Sequence, residues 1–380
     1  MGVRSLSPAI RAAIRAQTRE QRSGGLGVFG AIALGLGLLV FSHLLGPLGQ
    51  FLGDVEQAPL LRVIGMLLFV LIPTAGIYSL VGQFAFWEGW IGGLQEPAQL
   101  FASQEKRARA HGSAEPHQPQ PHYVVYLDGI HQHASEHPPR ITTFLTLLEQ
   151  ALGSHTRLLK GIEAYTVLPV GLEADPGTAW FWRRLFNLQE QNPSALVQVI
   201  AGMLVQANNV IKVGISSDRR YGPIVNVEQA LKVAERLAEL GFHPSSGAPI
   251  TLLGYSGGGE MAMGMADYLR RICRSPVHII TFCGVFSGNQ ELAKVEGITT
   301  VVGTRDPLQV VGRIAFPGRS PLLPFTRWNK AVRSGGVRHT LISGMTHNGN
   351  QGPFSERHRD AVIQAITAAM PAQAQVSRKR

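Results

Sequence analysis

At 380 residues the chain is longer than one compact domain usually requires, which points to a catalytic-sized domain plus a further part. Its 35 Lys and Arg against 25 Asp and Glu leave a net charge of +10, which raises nucleic acid as a partner. No basic and aromatic residues interleave as nucleic-acid binding would require, and much of the excess flanks apolar stretches or sits in Ser377, Arg378, Lys379 and Arg380, so anionic lipid is the simpler partner.

Residues 1–23 form a basic segment with Arg4, Arg11, Arg15, Arg19 and Arg22. Ser7 and Pro8 read as a helix cap and first turn, which would gather Arg11, Arg15 and Arg19 into a stripe suited to headgroups or simply into a solvated face. Ser23 to Gly53 holds no charged residue, and its apolar centre, Leu26 to Leu45, has about the 20 residues that cross ~30 Å of hydrocarbon. Val63 to Trp87 is a second uncharged stretch, with Trp87 and Trp90 at headgroup level and Pro73 as a kink. Residues 24–90 are therefore expected to be a two-helix transmembrane hairpin, with Gly27, Ala31 and Gly35 as a small-residue stripe for close helix approach. A secretory signal peptide would have a shorter core and no second span. Basic residues precede the first span and follow the second (Lys106, Arg107, Arg109), against Arg62 alone between them, so both termini and the catalytic domain are expected to be cytoplasmic.

Residues 91–121 lose periodicity and end in His, Pro and Gln, the composition of a linker. From residue 122 to about 371, short β-rich runs alternate with helical patterns, the signature of an α/β fold with a mostly parallel sheet covered by helices. Strands are expected at Tyr123–Leu127, Glu163–Leu168, Ile250–Leu253, His278–Phe286, Ile298–Val302 and Val337–Ile342. Helices are expected at Ile141–Leu152, at about Ala195–Val213, at Val225–Leu240 ended by Gly241, at Met261–Ile272, and at the close of the domain with Ser355 as its cap. Residues 175–220, with Trp180, Phe181, Trp182 and Phe186, read as an insertion or lid, and 372–380 as a basic tail. Cys273 and Cys283, the only cysteines, read as buried free thiols of a reducing compartment.

Ile250–Leu253 runs straight into Gly254-Tyr255-Ser256-Gly257-Gly258, a G-x-S-x-G pattern set between a buried strand and a helix. In that setting the sharp turn exposes the serine, and glycines let backbones pass closely. A serine hydroxyl is a weak nucleophile that needs a base, and the base needs a third group to fix its tautomer. Asp306, in Gly303-Thr304-Arg305-Asp306-Pro307 just past a strand, is the expected carboxylate, although Asp-Pro is also a common turn. Asp267, Glu291 and Asp218 are poorer placed. His347, in a loop after the last strand, is the expected base ahead of His339, which sits inside the strand. The backbone N–H groups of Gly257 and Ile130 are the expected oxyanion donors, the latter in the loop Gly129-Ile130-His131 after the first strand. His131, His133 and His137 lack carboxylate or cysteine partners for a metal site, and neither a metal nor a cofactor is expected.

With these motifs in the order serine, acid, histidine, residues 122–371 resemble the α/β-hydrolase superfamily of esterases, lipases and thioesterases. The resemblance implies an eight-strand-type sheet and cofactor-free acyl chemistry. Two features depart from the pattern: Asp128-Gly129-Ile130 stands where many lipases carry His-Gly-Gly-Gly, and Arg305 flanks the acid. The expected function is a membrane-anchored serine hydrolase of an acyl ester or thioester, acting on a lipid-like substrate. The alternative is a catalytically silent membrane scaffold of the same fold. Nucleic-acid binding ranks last. The sequence is silent on the oligomeric state.

Overall fold

The computed structural model of the chain describes residues 121–130, 137–162, 209–210, 212–219 and 222–371. The basic N-terminal segment, the expected hairpin at 24–90, nearly all of the linker, the expected strand Glu163–Leu168, most of the 175–220 insertion and the tail lie outside the described residues. Among the described residues no helix is long and apolar enough to cross a membrane.

Six strands form one parallel sheet among the described residues: β1 (His122–Leu127), β2 (Thr156–Leu159), β3 (Ile250–Tyr255), β4 (Val277–Phe282), β5 (Gly297–Gly303) and β6 (Val337–Ile342). Their spatial order is β2-β1-β3-β4-β5-β6. Among the described residues the helices include α1 (Pro139–Leu152), α2 (Gly222–Glu239), α3 (Gly258–Cys273), α4 (Pro307–Ala315), α5 (Arg327–Arg333) and α6 (Arg359–Ala369), and residues 209–210 and 212–217 are also helical. The architecture is compatible with an α/β-hydrolase fold, with six described strands where the resemblance implied eight.

The central strands read as continuous apolar runs because both sheet faces are covered. In β1, Tyr123, Val125 and Leu127 enter one core, and Val124 and Tyr126 enter the other. Successive side chains of a strand point to opposite faces, so neither set can be polar. The first core is completed by α2 and α3, through residues such as Val233, Leu237, Met261 and Leu269. The second is completed by α1 and α6, through Phe144, Leu148, Val362 and Ile366. Gly264 lets α3 lie against α2, since a side chain there would meet Asn226, whose own amide and carbonyl bond Ser216. Gly241, at φ +84°, closes α2 while Phe242 N returns to Leu237 O at 3.0 Å.

Some elements differ from expectation. The run expected at His278–Phe286 leaves the sheet after Phe282, because Cys283 takes φ +48° and turns the chain. The short strand Thr156–Leu159 was not expected; it has only four residues and one exposed position, too little for a periodicity to register. Ser355 does not cap the last helix: α6 starts at Arg359 with His358 before it, while the Ser355 hydroxyl donates to Gly352 O and its carbonyl accepts from Arg359 N. It closes the turn that precedes the helix.

Phe282 is fully buried and stacks on Phe144 (5.5 Å) and Tyr255 (5.3 Å), with Phe354 edge-on at 5.8 Å. Phe282→Ala should lower unfolding free energy by about 3–5 kcal/mol through lost burial and the cavity left behind. Denaturant unfolding of the two forms measures this; a loss below ~1 kcal/mol would contradict the packing.

Candidate active site

The site is built where the connections diverge. From β1 the chain goes to β2 on one side, and from β2 it crosses to β3 on the other side of β1, so the loops leaving β1 and β3 diverge at the carboxyl edge of the sheet, where ligands of open α/β sheets gather. Those two loops carry Gly129 and Ser256, and a Cβ placed on Gly129 would lie 3.1 Å from that of Ser256.

Ser256 follows the last residue of β3 at φ +50°, a left-handed conformation that a residue with a Cβ adopts at a cost of about 1–3 kcal/mol. Its carbonyl accepts two hydrogen bonds that hold this turn, from Gly259 N (3.0 Å) and Val285 N (2.8 Å). The glycines on either side are steric necessities. A side chain at Gly258 would strike the carbonyls of Leu127 and Asp128, and one at Gly254 would strike the backbone of Gly258 and Gly259. The elbow thus fits only if α3 begins in contact with the end of β1.

Asp306 lies just beyond β5, two strands from β3, and His347 lies in the loop after β6. The structure brings all three side chains together. His347 Nε2 is 2.9 Å from Ser256 Oγ, and His347 Nδ1 is 3.1 and 3.2 Å from the two Asp306 carboxylate oxygens. Asp306 and His347 are buried, whereas Ser256 remains partly exposed.

Asp306 also acts as the turn residue that its Asp-Pro sequence suggests. It sits in extended backbone before Pro307, caps α4 by accepting from Leu308 N at 2.9 Å, and is approached by Gln309 Nε2 at 3.4 Å. His339 is elsewhere, in mid-β6, with its Nδ1 2.6 Å from Thr300 Oγ1. Asp267 is held by Arg270 and Arg271 on α3, and Glu291 lies 3.5 Å from Arg327.

Of the two expected oxyanion donors, Gly257 follows the serine at the N-cap of α3, and Ile130 lies in the loop after β1, next to the Gly129 that approaches Ser256. Neither N–H donates to an acceptor among the described residues. Asp128 braces the second loop: its carboxylate accepts from Gly129 N (2.7 Å), Tyr126 OH (3.0 Å) and His137 Nδ1 (3.1 Å). His137, one of three histidines whose metal potential the sequence raised, is thereby tied to Asp128, while His131 and His133 lie outside the described residues.

Sequence reasoning missed three supports. Tyr255, the variable residue of the motif, donates from its hydroxyl to His347 O (2.9 Å) and stacks on the imidazole at 5.7 Å, fixing the loop that carries the base. Cys283 places its thiol beside Asp306 and 3.7 Å from Thr346 O; burial first, then the Asp306 charge, push its pKa up. Its sulfur, the Asp306 carboxylate and the His347 imidazole lie within 4.8 Å of one another, but the imidazole nitrogen nearest them already faces Asp306. Glu260, in the first turn of α3, is fully buried and accepts from Ser287 N (2.5 Å), Ser287 Oγ (3.2 Å) and Gln290 Nε2. It ties the 283–290 segment to α3. Only Tyr255 carried a local signal, its place inside the motif.

Comparison with known protein families finds no matching family model, and a search of curated proteins finds no matching relative.

Burial outweighs the hydrogen bonds around Glu260 and pushes its carboxyl pKa from 4.5 up to about 7. The folded state therefore holds a proton that the unfolded state releases, and this stabilisation is present below pH 4.5 and lost as pH rises through 7. Glu260→Gln should match the wild type near pH 4.5 and exceed it at pH 8 by up to about 3 kcal/mol. Thermal melts across that range measure the difference; a gap that does not change with pH would refute it.

Proposed function

We propose that the chain is a serine hydrolase that cleaves an acyl ester or thioester, with Ser256 as nucleophile, His347 as general base and Asp306 as the carboxylate that orients it. The observation that carries this reading is the continuous row from the Ser256 hydroxyl through both ring nitrogens of His347 to the Asp306 carboxylate, with a strained serine at its open end.

The chemistry follows from the geometry. As Ser256 Oγ bonds to the substrate carbonyl carbon, its proton passes to His347 Nε2, 2.9 Å away. The resulting imidazolium is stabilised by Asp306, which keeps Nδ1 as the donor. Negative charge on the former carbonyl oxygen is met by the N–H groups of Gly257 and Ile130. His347 then gives its proton to the departing alkoxide or thiolate, leaving an acyl-serine. Water, deprotonated by the same imidazole, releases the acid and restores the serine. These steps use side chains and backbone groups of the chain and call on no cofactor.

The substrate class follows from the surroundings of the domain in the sequence. An apolar hairpin at 24–90 would hold the domain at a membrane with both termini cytoplasmic, and the aromatic run at 180–186 suits a lid that meets lipid. Tethering of that kind raises the local concentration of a lipid-like ester without adding a contact to it.

A fluorophosphonate probe should label the wild type and fail on Ser256→Ala. His347→Ala should label far more slowly. Asp306→Asn should lower kcat by about 10⁴-fold, because the imidazole loses its tautomeric guide. Hydrolysis of an ester series and gel fluorescence read these out. Equal labelling of all four proteins would remove the catalytic reading and leave a silent scaffold of the same fold.

A further inference from the structure

α1 and α6 bury their apolar residues and turn polar ones outward. α4 does the reverse. Its buried residues are Gln309 and Gly312, while Val310, Val311 and Ile314 are 62%, 53% and 75% exposed. The inner face has an evident use: Gln309 bonds Gly284 O (3.1 Å) and reaches Asp306, and Gly312 faces the Arg319 guanidinium. The outer face has none among the described residues.

The apolar surface continues past the turn Pro317–Arg319, where Leu322 is 86% and Phe325 66% exposed. This loop is anchored. Asn329 Nδ2 donates to Ser320 O (2.7 Å) and Leu323 O (2.9 Å), and Thr326 caps α5 by accepting from Asn329 N. Isolated exposed leucines call for no explanation, but five large apolar side chains between Val310 and Phe325, on anchored backbone, mark an interaction surface.

Charge indicates what covers it. From Pro307 to Ser355 the chain has no Asp or Glu, but it has Arg313, Arg319, Arg327, Lys330, Arg333 and Arg338. Arg319 is buried and Arg327 lies beside Glu291, whereas Arg305, Arg313, Lys330, Arg333 and Arg338 are exposed. An apolar face edged by cations complements the headgroup boundary of an anionic bilayer. A second copy of the chain, itself at net charge +10, would be repelled.

We propose that α4 and the 320–326 loop dock on an anionic lipid surface through Val310, Val311, Ile314, Leu322 and Phe325, with Arg313, Lys330 and Arg333 on the headgroups. α4 starts at the residue after Asp306, so this contact brings the rim that carries the triad against the bilayer. Docking stands without catalysis; its consequence, delivery of a lipid-like ester to Ser256, rests on the proposed hydrolase activity.

The test uses the full chain in vesicles of phosphatidylcholine with or without phosphatidylserine. An environment-sensitive fluorophore is placed on Ile314→Cys, Leu322→Cys or Phe325→Cys, since Cys273 and Cys283 are buried. The expected result is blue-shifted emission, quenched several-fold more by shallow doxyl-labelled lipid when phosphatidylserine is present, and weakened by salt. A probe on Glu239→Cys, exposed at the end of α2, should stay in water. Water-like emission from all three sites would overturn the proposal. Blue-shifted emission that doxyl lipid does not quench would also overturn it, because another segment of the chain, or a partner protein, would then cover the face. The triple substitution Ile314→Glu, Leu322→Glu and Phe325→Glu should leave fluorophosphonate labelling in detergent unchanged and slow hydrolysis of a vesicle-embedded ester several-fold. An undiminished rate would separate docking from substrate supply. Loss of wild-type labelling would defeat the hydrolase reading while leaving the quenching result intact.

Discussion

The strained backbone of Ser256 is the constraint around which the described part of the molecule is arranged. A residue with a Cβ held at φ +50° persists only where its surroundings over-determine it. Here the surroundings are two hydrogen bonds to its carbonyl and two glycines that let α3 begin against the end of β1. At that turn Ser256 lies at the sheet edge, partly exposed, with its hydroxyl 2.9 Å from His347 Nε2.

Support for the elbow spreads along the sheet in both directions. On one side Asp128 ties the loop after β1, and with it Gly129 and Ile130, to Tyr126 and His137. On the other side the turn after β4 returns Val285 N to the serine carbonyl and delivers Ser287 to Glu260. Gln309 joins that turn to Asp306, and Arg319, stacked at 4.0 Å over Phe286, donates to Gln309. Buried polar groups of this kind are costly when left unmatched, so a connected network specifies one arrangement of loops where an apolar core would tolerate several.

The same helix that Asp306 caps carries the apolar outer face. Its inner side is occupied with holding the acid, which leaves its hydrophobic residues no place but outside. An acid-free stretch of chain from Pro307 to Ser355 then makes that outer face electrically suited to anionic lipid. The cap at Asp306 and an exposed apolar face are thus two sides of one short helix.

The strands of a doubly covered sheet were legible because burial on both faces leaves continuous apolar runs, as in Tyr123–Leu127 and Ile250–Leu253. Ser256 was legible as a candidate because the elbow's sterics demand glycines at fixed offsets from it, a local requirement written in adjacent residues. The order of acid and histidine, each after a strand, made Asp306 and His347 candidates. Their meeting with Ser256 was decided only by the order β3-β4-β5-β6, since strand order depends on long-range packing that no window of residues contains. Tyr255 beneath the imidazole, Cys283 beside the acid and Glu260 under the elbow came from the same source. Each is an ordinary side chain locally, and its role arises from partners that are distant in the chain, such as His347 for Tyr255 and Ser287 for Glu260.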